Sequence, residues 1–88
     1  MNESTLRPLL VGLVSRLRTA ASEFERARTV GASLLHKAAV SPPEGDRIAR
    51  MVTRCKAYAR AATREADGVQ WLIEQRWPIP VDKSGDPE

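Results

Sequence analysis

The apolar residues of this chain repeat on two unbroken 4-3 ladders, and no other feature constrains its fold as strongly. Leu6, Leu10, Leu13, Leu17, Ala20, Phe24, Ala27, Gly31, Leu34 and Ala38 form the first ladder. Ile48, Val52, Cys55, Ala59, Ala62, Ala66, Val69 and Ile73 form the second. A 4-3 spacing keeps one stripe of an α-helix apolar, whereas a strand needs alternation by two, which neither segment shows. The spacing predicts an all-α chain of two long helices, helix one over about 5–39 and helix two over about 42–77. Residues 1–4 and the Pro-containing tail 78–88 are expected to be flexible ends.

Chemical signals mark the helix ends. Ser4 or Thr5 can cap helix one, with Pro8 expected in its first turn, where a missing N–H costs nothing. Ser41-Pro42-Pro43-Glu44 has the spacing of a capping box with prolines in the first turn, which starts helix two near Pro42. Trp77-Pro78-Ile79-Pro80 ends it, because a residue before proline avoids the helical region. A connection this short forces the two helices antiparallel. Leu9, Val11, Val14, Val30 and Leu35 fall off the first seam, and Met51, Tyr58, Trp71 and Leu72 fall off the second. An isolated hairpin would leave these wet, so the pattern predicts a homo-oligomer, a dimer closing into a four-helix bundle.

Composition narrows the function classes. The 88 residues are 42% hydrophobic and 28% charged, ordinary for one folded domain. One Cys and one His leave no intrachain disulfide and no metal site, and no cofactor is expected. The longest apolar run, Leu9–Val14, is far below the ~20 residues of a membrane span and lacks the flanks of a signal peptide. A cytoplasmic setting without membrane association follows as the expectation. Catalysis is disfavoured: there is no Ser-His-Asp set, phosphate loop or H-E-x-x-H motif. His36 reads as a solvated surface imidazole, Cys55 as an inert seam thiol, and Glu65 and Asp67, two apart, do not face each other.

The net charge of +3 is unevenly spread: residues 46–64 carry six basic side chains against Asp46, and residues 65–88 carry six acidic against two basic. A chain this polarised is a poor candidate for indiscriminate nucleic-acid binding. Arg50, Arg54, Arg60 and Arg64, with Arg47 beside them, project away from the second seam and suit bidentate binding of phosphate or carboxylate. The alternative is a solubilising face partly neutralised by Glu23 and Glu25. Met51, Tyr58, Trp71 and Leu72 are the candidate contact residues, for a sister subunit or a foreign protein.

The opening Thr5-Leu6-Arg7-Pro8-Leu9-Leu10 and the closing Leu72-Ile73-Glu74-Gln75-Arg76 resemble the two ends of the small helical-hairpin quorum-sensing anti-activators of Pseudomonas phages. This chain is longer, with an extra stretch in helix one and the Ser41-Pro42-Pro43 turn. The resemblance implies a dimeric hairpin that binds and disables host proteins, such as a quorum-sensing transcription factor or a pilus assembly ATPase, in the host cytoplasm. Three functions follow as expectations. The first is a non-enzymatic inhibitor using Met51, Tyr58, Trp71 and Leu72, with Arg50, Arg54, Arg60 and Arg64 for steering. The second is a binder of an anionic nucleotide or RNA through the same arginines. The third is a structural assembly adaptor.

Overall fold

The computed structural model describes residues 3–37 and 39–78. They form two helices packed against each other, α1 over Glu3–Leu34 and α2 over Pro42–Arg76. At 1.5 Å per residue, their 32 and 35 residues span about 48 and 52 Å. There is no strand among the described residues. The hairpin is a single layer of helices, 14 Å through its thinnest dimension. Residues 1–2, Ala38 of the first ladder and the tail 79–88 lie outside the described residues.

Both helix boundaries at the turn have a chemical cause. Helix one ends at Leu34, short of the expected 39, because the next amides shift to bonds three residues back. Leu35 N–H donates to the Ala32 carbonyl, His36 N–H to Ser33 and Lys37 N–H to Leu34, at 3.1–3.3 Å. This tighter turn satisfies carbonyls that the α-helical ladder leaves open at its end. Ser41 then caps α2 from an extended conformation, φ −75° and ψ 161°. Its hydroxyl accepts from the Glu44 N–H at 3.4 Å, and the Glu44 carboxylate accepts from the Ser41 N–H at 2.9 Å. These bonds hold the fully exposed Glu44 carboxyl below the usual glutamate pKa, the backbone donor being the larger cause and the hydroxyl contact the smaller.

The outer ends differ from the expected capping in one respect. α1 already begins at Glu3, so Ser4 and Thr5 sit inside its first turn and Pro8 lies in the second. Pro8 therefore withholds one N–H from the ladder near its start. At the far end the Trp77 N–H donates to the Ile73 carbonyl at 2.9 Å, and Pro78 follows.

All eight residues of the second ladder are buried or half-buried, with Cys55, Ala59, Ala66 and Ile73 the deepest. Of the nine described residues of the first ladder, seven are buried or half-buried, and Leu13 and Leu34 are exposed. Leu10, Leu17, Phe24 and Gly31 face α2, and Leu6, Ala20 and Ala27 are half-buried beside them, but Val14 and Ala21, at 7% and 9% exposure, sit deeper than their ladder neighbours Leu13 and Ala20. The main cluster joins Val14, Ala66 and Ile73, with Leu10, Leu17, Val69 and Trp77 packed on it. Toward the turn the helices close further. A Cβ on Gly31 would sit 2.7 Å from Val52 Cγ2 and 2.9 Å from Met51 Cε, so only glycine admits this approach.

Candidate interaction surfaces

Around an α-helix each residue advances by about 100°, which decides which of the singled-out side chains share a flank. Tyr58 and Met51 are seven apart and align within about 20°; Leu72 falls about 40° from Tyr58. Trp71 is thirteen from Tyr58, about 140° around α2, and so lies on the other flank. The four candidate contact residues do not form one patch. The four arginines divide as well. Arg60 and Arg64 lie within about 20° of Trp71, Arg54 about 40° from Tyr58, and Arg50 half a turn from the buried Ala59.

Contacts between the helices fix which flanks meet. On one face, Arg18 of α1 donates to the Asp67 carboxylate of α2 at 3.2 Å. Beside that pair lies a groove of about 520 Å³ lined by Ala21, Ser22 and Glu25 of α1 and by Arg60, Thr63 and Arg64 of α2. Val11, seven residues from Arg18, belongs to this face, and so does Trp71, which is 61% exposed. The opposite face carries Phe24 against Tyr58, ring centroids 5.3 Å apart and tilted by 51°. Met51 lies there too, half-buried, folded over Gly31 with its thioether accepting from the Cys55 thiol at 3.5 Å.

The electrostatics of the polar face are open. Glu23 and Glu25 pair with Arg26 and Arg28 of their own helix, at 3.3 and 2.9 Å, rather than with α2. Among the described residues Arg47, Arg50, Arg54, Arg60 and Arg64 make no ion pair. Arg60 and Arg64 do share their groove with Glu25 and Asp67, so it is mixed in charge rather than a purely cationic cleft. At the open end, the guanidiniums of Arg7 and Arg76 lie over the Trp77 ring, 5.6 and 5.2 Å from its centre. His36 is exposed in the turn.

The apolar side chains are distributed unusually. No large side chain is fully buried among the described residues, and nine large apolar ones are exposed. Leu9, Leu13, Val30, Leu34, Tyr58 and Leu72 fall on the Phe24–Tyr58 face, Val11 and Trp71 on the other, and Leu35 in the turn. Leu13 and Leu34 were not expected outside, since the ladder assigned them to the hairpin's own seam. The groove beside Arg18–Asp67 also escaped the sequence, because it depends on the register between the helices. Among the described residues no cluster of His, Cys, Asp and Glu could hold a metal, and no helix is long and apolar enough to cross a membrane. No protein-family model, curated protein or solved structure matches the chain.

Proposed function

We propose that this chain is a non-enzymatic, oligomeric binding protein. Two helical hairpins pack as a four-helix bundle that occupies the surface of a host protein and disables it, as the phage resemblance implies. The observation that supports this reading is the inverted placement of its large apolar side chains: nine stand exposed, and none is fully buried. A side chain as large as Trp71, left in water beside two unpaired arginines, serves contact better than it serves folding. Trp71 supplies the apolar anchor, and Arg60 and Arg64 steer an acidic partner toward it. Replacing Trp71 by Ala tests this. The tagged wild type should retain a stoichiometric protein from bacterial lysate at high salt, and the variant should lose it while melting within ~0.5 kcal/mol of wild type. A collapse of the melting transition would make Trp71 a packing residue instead.

A second reading has an observation of its own. Arg60 and Arg64 line the groove without ion pairs among the described residues, beside the hydroxyl residues Ser22 and Thr63, a set that can hold a phosphate-bearing nucleotide or RNA. Retention of a nucleotide that is lost steeply as salt rises would favour this reading; a partner held through Trp71 loses far less.

A further inference from the structure

We infer that the two faces of the hairpin have separate occupants: a second copy of this chain covers the Leu9–Leu13–Val30–Leu34 and Tyr58–Leu72 face, leaving the Arg18–Asp67–Trp71 face for the foreign partner. This rests on the oligomeric reading above and specifies its interface. The exposed side of α1 carries its own 4-3 ladder: Leu9, Leu13, Arg16, Ala20, Glu23, Ala27, Val30 and Leu34. It borders the residues facing α2 and shares Leu13, Ala20, Ala27 and Leu34 with the first ladder; its two alanines are half-buried, while its large residues Leu9, Leu13, Val30 and Leu34 are left exposed by the hairpin. The six large apolar residues of this face are 39–60% exposed, whereas the other face holds two.

This exposed ladder of α1 is self-complementary when two copies of α1 run antiparallel about a two-fold axis. Pairing Leu9 with Leu34 of the partner subunit places Leu13 against Val30 of the partner subunit, Arg16 against the partner subunit's Ala27, and Ala20 against the partner subunit's Glu23. Large residues then meet large ones, and each charged residue meets an alanine with room for its stem. Arg16 also comes within one turn, about 6 Å along the axis, of Glu23 of the partner subunit, and the two-fold axis repeats the pair. Arg16 makes no ion pair within its own hairpin among the described residues, and the Glu23 contact it would share is an exposed one, to Arg26 at 3.3 Å. On α2, Tyr58, half-exposed over Phe24, and Leu72 extend the same face. The opposite face offers no such match: its two large apolar residues, Val11 and Trp71, both lie toward the open end, and Arg18, Asp67 and the mixed-charge groove occupy the rest of it toward the turn.

Site-directed disulfides test the assignment in the full chain with Cys55→Ala as background. Leu13→Cys with Val30→Cys should form a dimer on mild oxidation. Within one chain these positions are seventeen residues, about 25 Å, apart on a single helix and cannot bond. Val11→Cys alone should stay monomeric on a non-reducing gel. Light scattering of the wild type separates the two possible failures. A dimer that cross-links through Val11→Cys, or that fails to cross-link through Leu13→Cys and Val30→Cys, overturns the face assignment and leaves the oligomer standing. A wild type that is monomeric at hundreds of micromolar overturns both. The pairing itself is tested by Arg16→Glu and Glu23→Arg, each expected to weaken dimerisation at least fivefold, with the double variant recovering most of the loss. No recovery in the double variant refutes the antiparallel register.

Discussion

Replacing glycine by alanine inside a helix ordinarily stabilises it by about 1 kcal/mol, because alanine loses less backbone freedom on folding. Two of the helical glycines, Gly31 and Gly68, should respond with opposite signs. Gly68 has nothing within 4 Å of where a Cβ would stand, so Gly68→Ala should realise that gain. At Gly31 the added Cβ would lie 2.7 Å from Val52 Cγ2 and 2.9 Å from Met51 Cε, short of ordinary carbon contact by roughly 0.8 Å. Met51 can swing its terminal methyl away. Val52 is β-branched and held in one rotamer on its helix, so α1 and α2 must part near the turn. Such overpacking costs about 1–3 kcal/mol, which cancels or exceeds the propensity gain. The two variants should therefore differ by about 1–3 kcal/mol, at roughly 4–8 °C per kcal/mol for a domain of this size. Thermal and urea melts followed by circular dichroism, at equal protein concentration, read this directly. If Gly31→Ala melts as high as Gly68→Ala, the close approach at Gly31 is wrong and the packing toward the turn with it.

Two further predictions concern the cap and the core. Ser41→Ala should lower stability by about 1 kcal/mol, measured by urea melts at neutral pH. The Glu44 carboxyl is held below its ordinary pKa, so its stabilising effect is present above the usual glutamate range and is lost as pH falls through the lowered value. The stability gap between wild type and Glu44→Gln should accordingly narrow as pH is lowered from neutral through and below the usual glutamate range; a constant gap would mean the box is not formed. Ala66 is 0% exposed, facing the cluster of Val14 and Ile73, so Ala66→Leu should destabilise by about 1–3 kcal/mol or break the hairpin. Urea melting at wild-type stability would refute the tight approach there.

The architecture was legible where residue chemistry is unambiguous. Ser41, Glu44 and two prolines can do little else but start a helix, and the second ladder had no competing apolar stripe strong enough to mislead. Helix one was harder for a physical reason. Leu13 and Val14 are both apolar, and Ala20 and Ala21 are identical, so hydrophobicity alone cannot say which of each pair faces α2. Burial chose Val14 and Ala21 for the deepest positions, leaving Leu13 and Leu34 exposed and Ala20 half-buried. The division of the contact residues was available in principle, since thirteen residues between Tyr58 and Trp71 already place them on different flanks. The groove beside Arg18 and Asp67 was not, because nothing local specifies how far one helix slides along the other.

Trp77 has a consequence for how the hairpin opens. It lies at the end of α2 farthest from the turn, against the Val14–Ala66–Ile73 cluster and in contact with the Arg7 and Arg76 guanidiniums. Opening that begins there frees one helix turn at a time and leaves the rest paired, whereas opening at the turn must separate everything at once. The molecule is thus a zipper whose slider is a single indole. Its fluorescence reports fraying of the open end before any helix is lost, once the signal of the solvent-exposed Trp71 has been removed by mutation.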